Sequence, residues 1–258
     1  MLRRLLVAVL LTTSILTTPV VNVSAKDLPV VFEDVTARGR ALYESDQAAW
    51  HATDAVLALK PADGLVKRYI AHKTTEGWKV GFGRLSAKGD SFLVAFEASQ
   101  GATPNDFSVK RFDPPVVDDG FYFKAAKAIE TAHNDFHGEN RAYNVAVLPS
   151  QPDGLFVYVL PAQTKDGVFP LGGDVRYSIS ADGKQITAKR QMHKTILEMT
   201  PTPNTAAGFH SHILREEPED SDVFYVLTRR PSIAEYVAIA GKKKMFTITP
   251  DGTILFKK

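Results

Sequence analysis

Apolar residues return at three- and four-residue steps across GRALYESDQAAWHATDAVLALK, where Leu42, Ala49, Trp50, Ala52, Val56 and Leu59 build one face of a helix. Pro61 and Gly64 end it. The period then drops to two. VKRYIAHK, WKVGFGRL and SFLVAFEA read as strands, joined by TTEG and AKGD turns. A proline- and aspartate-rich stretch, GATPNDFSVKRFDPPVVDDG, interrupts the pattern. A second helix follows in FYFKAAKAIETAHNDFH, with Phe123, Ala126, Ile129, Ala132 and Phe136 along one side. Strands resume in RAYNVAVLP, LFVYVLPA, DVRYSIS and QITAKRQMHKTILEM, with GVFPLGG as a loop. The tail reads as a strand through FHSHI, an acidic loop, a short helix (SDVFYVLTRR) and three strands, EYVAIA, MFTITP and TILFKK.

Runs of strands with helices set between them indicate an α+β fold of antiparallel sheets, each covered by a helix. The order helix, strand, strand, strand occurs twice, as a degenerate duplication or as convergence on the same sandwich. The break sets the expected boundary. Residues 26–104 form a helix-plus-sheet module and residues 105–258 a second α+β module.

Residues 1–25 have Arg3 and Arg4, an apolar middle and a Val23-Ser24-Ala25 end, the layout of a cleaved secretory signal. The expectation is an exported protein, periplasmic or secreted, with no stable membrane insertion once the signal is gone. The formal charge of +2 comes from the two leader arginines, so the remainder is neutral. Nothing in that balance draws it to nucleic acid. With Cys at 0, disulfides, thiolate zinc sites and cysteine nucleophiles are excluded, and any metal must be held by His, Asp or Glu. Nucleotide-binding glycine loops and the G-x-S-x-G elbow are missing as well.

Chemistry concentrates in AAGFHSHILREEPEDSD. In a strand, His210 and His212 project from the same face, about 7 Å apart along the chain, and can lean onto one metal ion. Phe209 and Ile213 then point the other way, towards a core. A polar strand edge is the alternative. Asp222 stands where the next helix begins, as a ligand fixed by a regular element or as a helix cap. His193 is a rival ligand or the partner of one. Elsewhere, VFPLGGDVRY offers Asp174 and Arg176 beside paired glycines, lining a cleft or forming a plain bulge. His133 and His137, four apart on a helix, read as a solvated last turn.

The order strand with H-S-H, loop with proline and acids, helix opened by Asp, then YVAI and FTITPDG, resembles the core of the JAMM/MPN (JAB-type) metalloproteases. The likeness spans residues 206–255 and implies a β-α-β-β segment. It also implies a Zn²⁺ site on His210, His212 and Asp222, and hydrolysis of a peptide or isopeptide bond in a peptide or protein substrate. The family's upstream glutamate, which activates the bound water, corresponds to Glu198, the one glutamate between Glu139 and His210. A hairpin would set Glu198 on the histidine face; a one-residue slip would turn it away and offer His193 instead. Ile213 stands where the family has proline, and Glu219 where it has the serine that polarises the substrate carbonyl. The alternative is a non-catalytic binding module on the same fold.

Overall fold

A computed structural model describes residues 30–256, so the leader-type stretch 1–25 lies outside the described residues. The elements are α1 (Val30–Leu57), β1 (Arg68–Thr74), β2 (Gly77–Leu85), β3 (Phe92–Gln100), β4 (Phe107–Asp118), α2 (Phe121–Asp135), β5 (Tyr143–Ser150), β6 (Gly154–Pro161), β7 (Phe169–Gly172), β8 (Val175–Ile179), β9 (Ile186–Gln191), β10 (Ile196–Met199), β11 (Gly208–His212), α3 (Asp220–Thr228), β12 (Glu235–Ile239), β13 (Met245–Ile248) and β14 (Ile254–Phe256). The fold is α+β. Two antiparallel sheets have the orders β1-β2-β3-β4 and β5-β6-β8-β9, and a third has the order β11-β12-β13-β14.

Period-two burial decides how the first two sheets meet the helices. On β5 and β6, Val147, Val157 and Val159 join α2's Ala125, Ala126 and Ile129. Their alternates Leu148, Tyr158 and Leu160 join α1's Leu42, Ala52 and Val56. On β2, Trp78, Val80 and Phe82 face the α1 side, and the opposite face carries glycines. A Cβ on Gly81 would come within 2.9 Å of the Tyr122 ring, so glycine there lets α2 sit on the strand. Each helix thus covers one face of both sheets, whose strands β1 and β5 adjoin at the seam.

The stretch 101–120, expected as a break, forms β4 and pairs with β3. One sheet therefore runs across residues 104 and 105. Pro114 and Pro115 fit because β4 is an edge strand and its ladder with β3 is interrupted between Val94 and Phe96. The long strand expected through QITAKRQMHKTILEM is instead two. β9 pairs with β8, while β10 crosses to pair with β7.

α1 has 28 residues, about 42 Å at 1.5 Å each, and reaches a third core. There Phe32 and Val35 pack with Val223 and Val226 of α3 and with Val237, Phe246 and Ile248 of the C-terminal sheet. The helices cross at Gly39, where a Cβ would lie 2.4 Å from Val223 Cβ and 2.7 Å from the Asp220 carbonyl oxygen. Gly39→Ala should therefore cost about 1–3 kcal/mol through overpacking, read as a lower urea midpoint at unchanged m-value.

Candidate metal centre

β11 pairs in parallel with β12 through α3, a β-α-β connection in which His210 lies opposite Val237 and His212 opposite Ile239. His210 and His212 share the buried face, as the alternation requires. Phe209 and Ile213, expected to pack inwards, are instead 59% and 63% exposed. The inner face of this strand meets the first turn of α3 and its acids, so polar side chains turn in and apolar ones turn out.

Three elements supply the centre. β11 brings His210 and His212, α3 brings Asp222, and the turn between β9 and β10 brings His193. Their ligand atoms lie within 4.8 Å of one another, and all four residues are buried. His212 Nε2 is 2.9 Å from His193 Nε2 and 3.2 Å from His210 Nε2. Asp222 Oδ1 is 3.1 Å from Nε2 of both His193 and His210, and its Oδ2 is 3.2 Å from His212 Nε2. Donors around a tetrahedral ion with bonds of 2.0–2.1 Å stand about 3.3 Å apart. The observed separations fit that polyhedron.

The proton arrangement points the same way. His212 Nδ1 lies 2.9 Å from the Glu217 carbonyl oxygen, which can only accept. His210 Nδ1 lies 2.9 Å from Glu235 Oε1, and His193 Nδ1 lies 2.8 Å from Asp174 Oδ1. Each ring therefore donates through Nδ1, and in the neutral form each presents a bare lone pair at Nε2. Asp222 Oδ1 is buried and accepts no aligned hydrogen bond among the described residues. With the three rings neutral, three lone pairs and a carboxylate converge, an arrangement that calls for a cation.

Without a metal, protons take that place. Burial opposes a charge on His193, but Asp174 and Asp222 outweigh it and raise its pKa well above the ordinary value. Burial likewise works against His210, and Asp222 with Glu235 lift it to about 9. For Asp222, burial favours the neutral acid, yet His193 and His210 hold its pKa well below the usual carboxylate range.

Asp222 is also a capping residue: Oδ2 accepts the Glu219 amide at 2.7 Å. The N-cap expected at Asp222 is Glu219 instead, and Asp222, at the third position of the helix, closes a capping box with it. Glu219 is gripped by Arg190 through Nε and Nη2. Ser221 is buried against Met192 Sδ at 3.6 Å.

Glu198 is not brought to the centre. Its expected hairpin with β11 does not form, because β10 pairs with β7, with Glu198 opposite Pro170. Its carboxylate binds Arg141 at 2.5 Å and is half exposed. The neighbouring Leu197 lines a cavity of about 180 Å³ that opens onto His193, His210 and His212. No carboxylate side chain lines that cavity among the described residues.

The residues that orient the ligands are mostly new. Asp174 belongs to the stretch singled out for its paired glycines. Gly172 and Gly173 have φ of 89° and 66°, and a Cβ on Gly172 would fall 2.3 Å from the Thr195 carbonyl oxygen. Glycine there lets the His193 turn close over Asp174. Glu235 and Arg229 escaped the sequence reading. Their buried ion pair stands behind His210, and a Cβ on Gly208 would be 1.8 Å from Glu235 Oε2. A lone Glu opening an apolar strand was the available signal.

Compared with known proteins, no family model, no curated protein and no solved structure matches the chain.

Metal analysis of protein loaded with zinc and desalted should give close to one ion per chain, and His210→Ala or Asp222→Asn should remove it. Apparent affinity should rise with pH up to about 9, because the metal displaces the His210 proton. The sign for stability follows. A histidine raised in the folded state stabilises fully below its unfolded pKa of about 6.5 and loses that contribution as pH climbs towards the folded value. Metal-free protein should therefore show a falling Tm between pH 7 and 9, and zinc-loaded protein should not follow it.

Proposed function

We propose that this is an exported zinc-binding protein whose C-terminal sheet is a divergent JAMM/MPN-like segment, holding the ion with protein ligands rather than presenting it for amide hydrolysis. The observation that carries the reading is the convergence of four buried ligand atoms, each imidazole fixed by an acceptor at Nδ1. Four protein ligands complete a tetrahedral set, the mark of zinc sites that retain the ion; hydrolytic sites keep a position for water. Three imidazoles and a carboxylate suit zinc, which has no competing geometric preference.

The features needed for catalysis are turned to other uses. Glu198 is engaged by Arg141, and Glu219 by Arg190. Export is supported by the layout of residues 1–25. Among the described residues, no helix is long and apolar enough to cross a membrane.

One observation favours a second reading, a metal-dependent peptide or isopeptide hydrolase. The cavity reaches His193 and His212, and His193 sits on a turn. Its departure would leave the His210, His212, Asp222 set of the JAMM/MPN motif, on which zinc would supply a polarised water. The two readings separate in one experiment. Zinc-loaded wild type and His193→Ala are incubated with a mixed peptide and isopeptide substrate set, and zinc loss to a chromophoric chelator is followed in parallel. Retention predicts no metal-dependent cleavage by wild type and about tenfold or faster zinc loss from His193→Ala. Wild-type cleavage abolished by Asp222→Asn would establish the hydrolase instead. Glu198→Gln should keep its zinc and change stability by no more than about 1 kcal/mol, because Glu198 is half exposed and the amide oxygen can still accept from Arg141.

A further inference from the structure

We propose a second ligand site, independent of the histidine centre: the cavity between α1 and the seam of the first two sheets binds an amphipathic carboxylate. The cavity measures about 580 Å³, within the range that holds small organic ligands. Its walls include Trp78, Phe121, Leu148 and Phe156. Ala37 and Ala41, one helical turn apart on α1, leave the space open on the helix side. Elsewhere on the same helix, Leu42 and Val56 fill the core.

The rim carries Arg38, Arg40 and Lys73 against a single acid, Glu44. Two of these cations are engaged. Lys73 pairs with Glu44, and Arg40 donates to the Asp251 carbonyl oxygen and to Thr253. Arg38 differs. Its Nε donates to Asp220 at 3.0 Å, while its two terminal amino groups have no protein acceptor among the described residues, and the side chain is 29% exposed.

Asp220 is also claimed by Arg176 and by the Tyr158 hydroxyl. Two guanidiniums thus answer one carboxylate, leaving positive charge in excess at this end. Arg176 lies 4.8 Å from the centroid of the Phe156 ring that forms the wall. The two terminal amino groups of Arg38, beside an apolar chamber, are complementary to a carboxylate head on an apolar body.

The test uses two fluorescent probes of one shape, 1-anilinonaphthalene-8-sulfonate and its uncharged counterpart N-phenyl-1-naphthylamine. The sulfonate stands in for the carboxylate. The anionic dye should saturate at one per chain and bind about tenfold tighter than the neutral one, and dodecanoate should displace it. Arg38→Gln should erase the difference between the dyes and leave the neutral dye's affinity unchanged; Arg176 and Tyr158 still hold Asp220 in that variant. Ala37→Trp, on the exposed rim, should weaken both dyes, with the urea midpoint confirming an intact fold. Equal affinity for the two dyes in wild type would overturn the proposal. So would anionic-dye binding that ignores both substitutions, or failure of dodecanoate to compete.

Discussion

The first turn of α3 places three buried acids within four residues, and much of the molecule is arranged to answer them. Glu219, Asp220 and Asp222 are all at most 1% exposed. Carboxylates so placed would be prohibitive unless each met an opposite charge. Arg190 of β9 grips Glu219; Arg38 of α1, Arg176 of β8 and Tyr158 of β6 converge on Asp220. The amides of the turn favour anions in the same place. Through these contacts, one short helix fixes α1, the second sheet and the C-terminal sheet against each other.

Asp222 is the acid that no guanidinium reaches. Its partners are three imidazoles, and neutral imidazoles carry no charge. Protons or a metal ion must complete the set, and the two compete for the same nitrogens. Metal binding at such a centre would also be folding energy: the four side chains come from a turn, a strand and a helix that share no local sequence, and a cation would tie them together. His193 is the member of the set outside a regular element and the one backed by two glycines, so its position would depend most on such a cation.

What the sequence made legible was local. The period change marked helices and strands, and the H-S-H spacing on a strand placed two ligands on one face. Asp222 near a helix start was the third candidate, and His193 was the one that a register slip of the Glu198 strand would offer. The missed features depend on partners far along the chain. β4 passes through Pro114 and Pro115 because it lies at an edge, which composition alone does not reveal. β10 chooses β7 over β11, and that choice removes Glu198 from the centre. β11 turns Phe209 and Ile213 outwards because the acids of α3 claim its inner face. Asp174, Glu235 and Arg229 orient rings whose ligand roles were visible, but nothing local ties them to those rings.

The departures at 213 and 219 then acquire a physical sense on the reading proposed above. Glu219 cannot replace a serine that donates to a carbonyl oxygen, because an ionised carboxylate only accepts. It is well placed to accept from Arg190, and that pair holds the helix start from which Asp222 projects. Ile213 lies at the mouth of the cavity with Leu197 and Leu214, giving the entrance an apolar rim. Such a rim hinders the exchange of hydrated ions more than it assists a polar amide. On that reading, Ile213 and Glu219 would both favour holding an ion over presenting it.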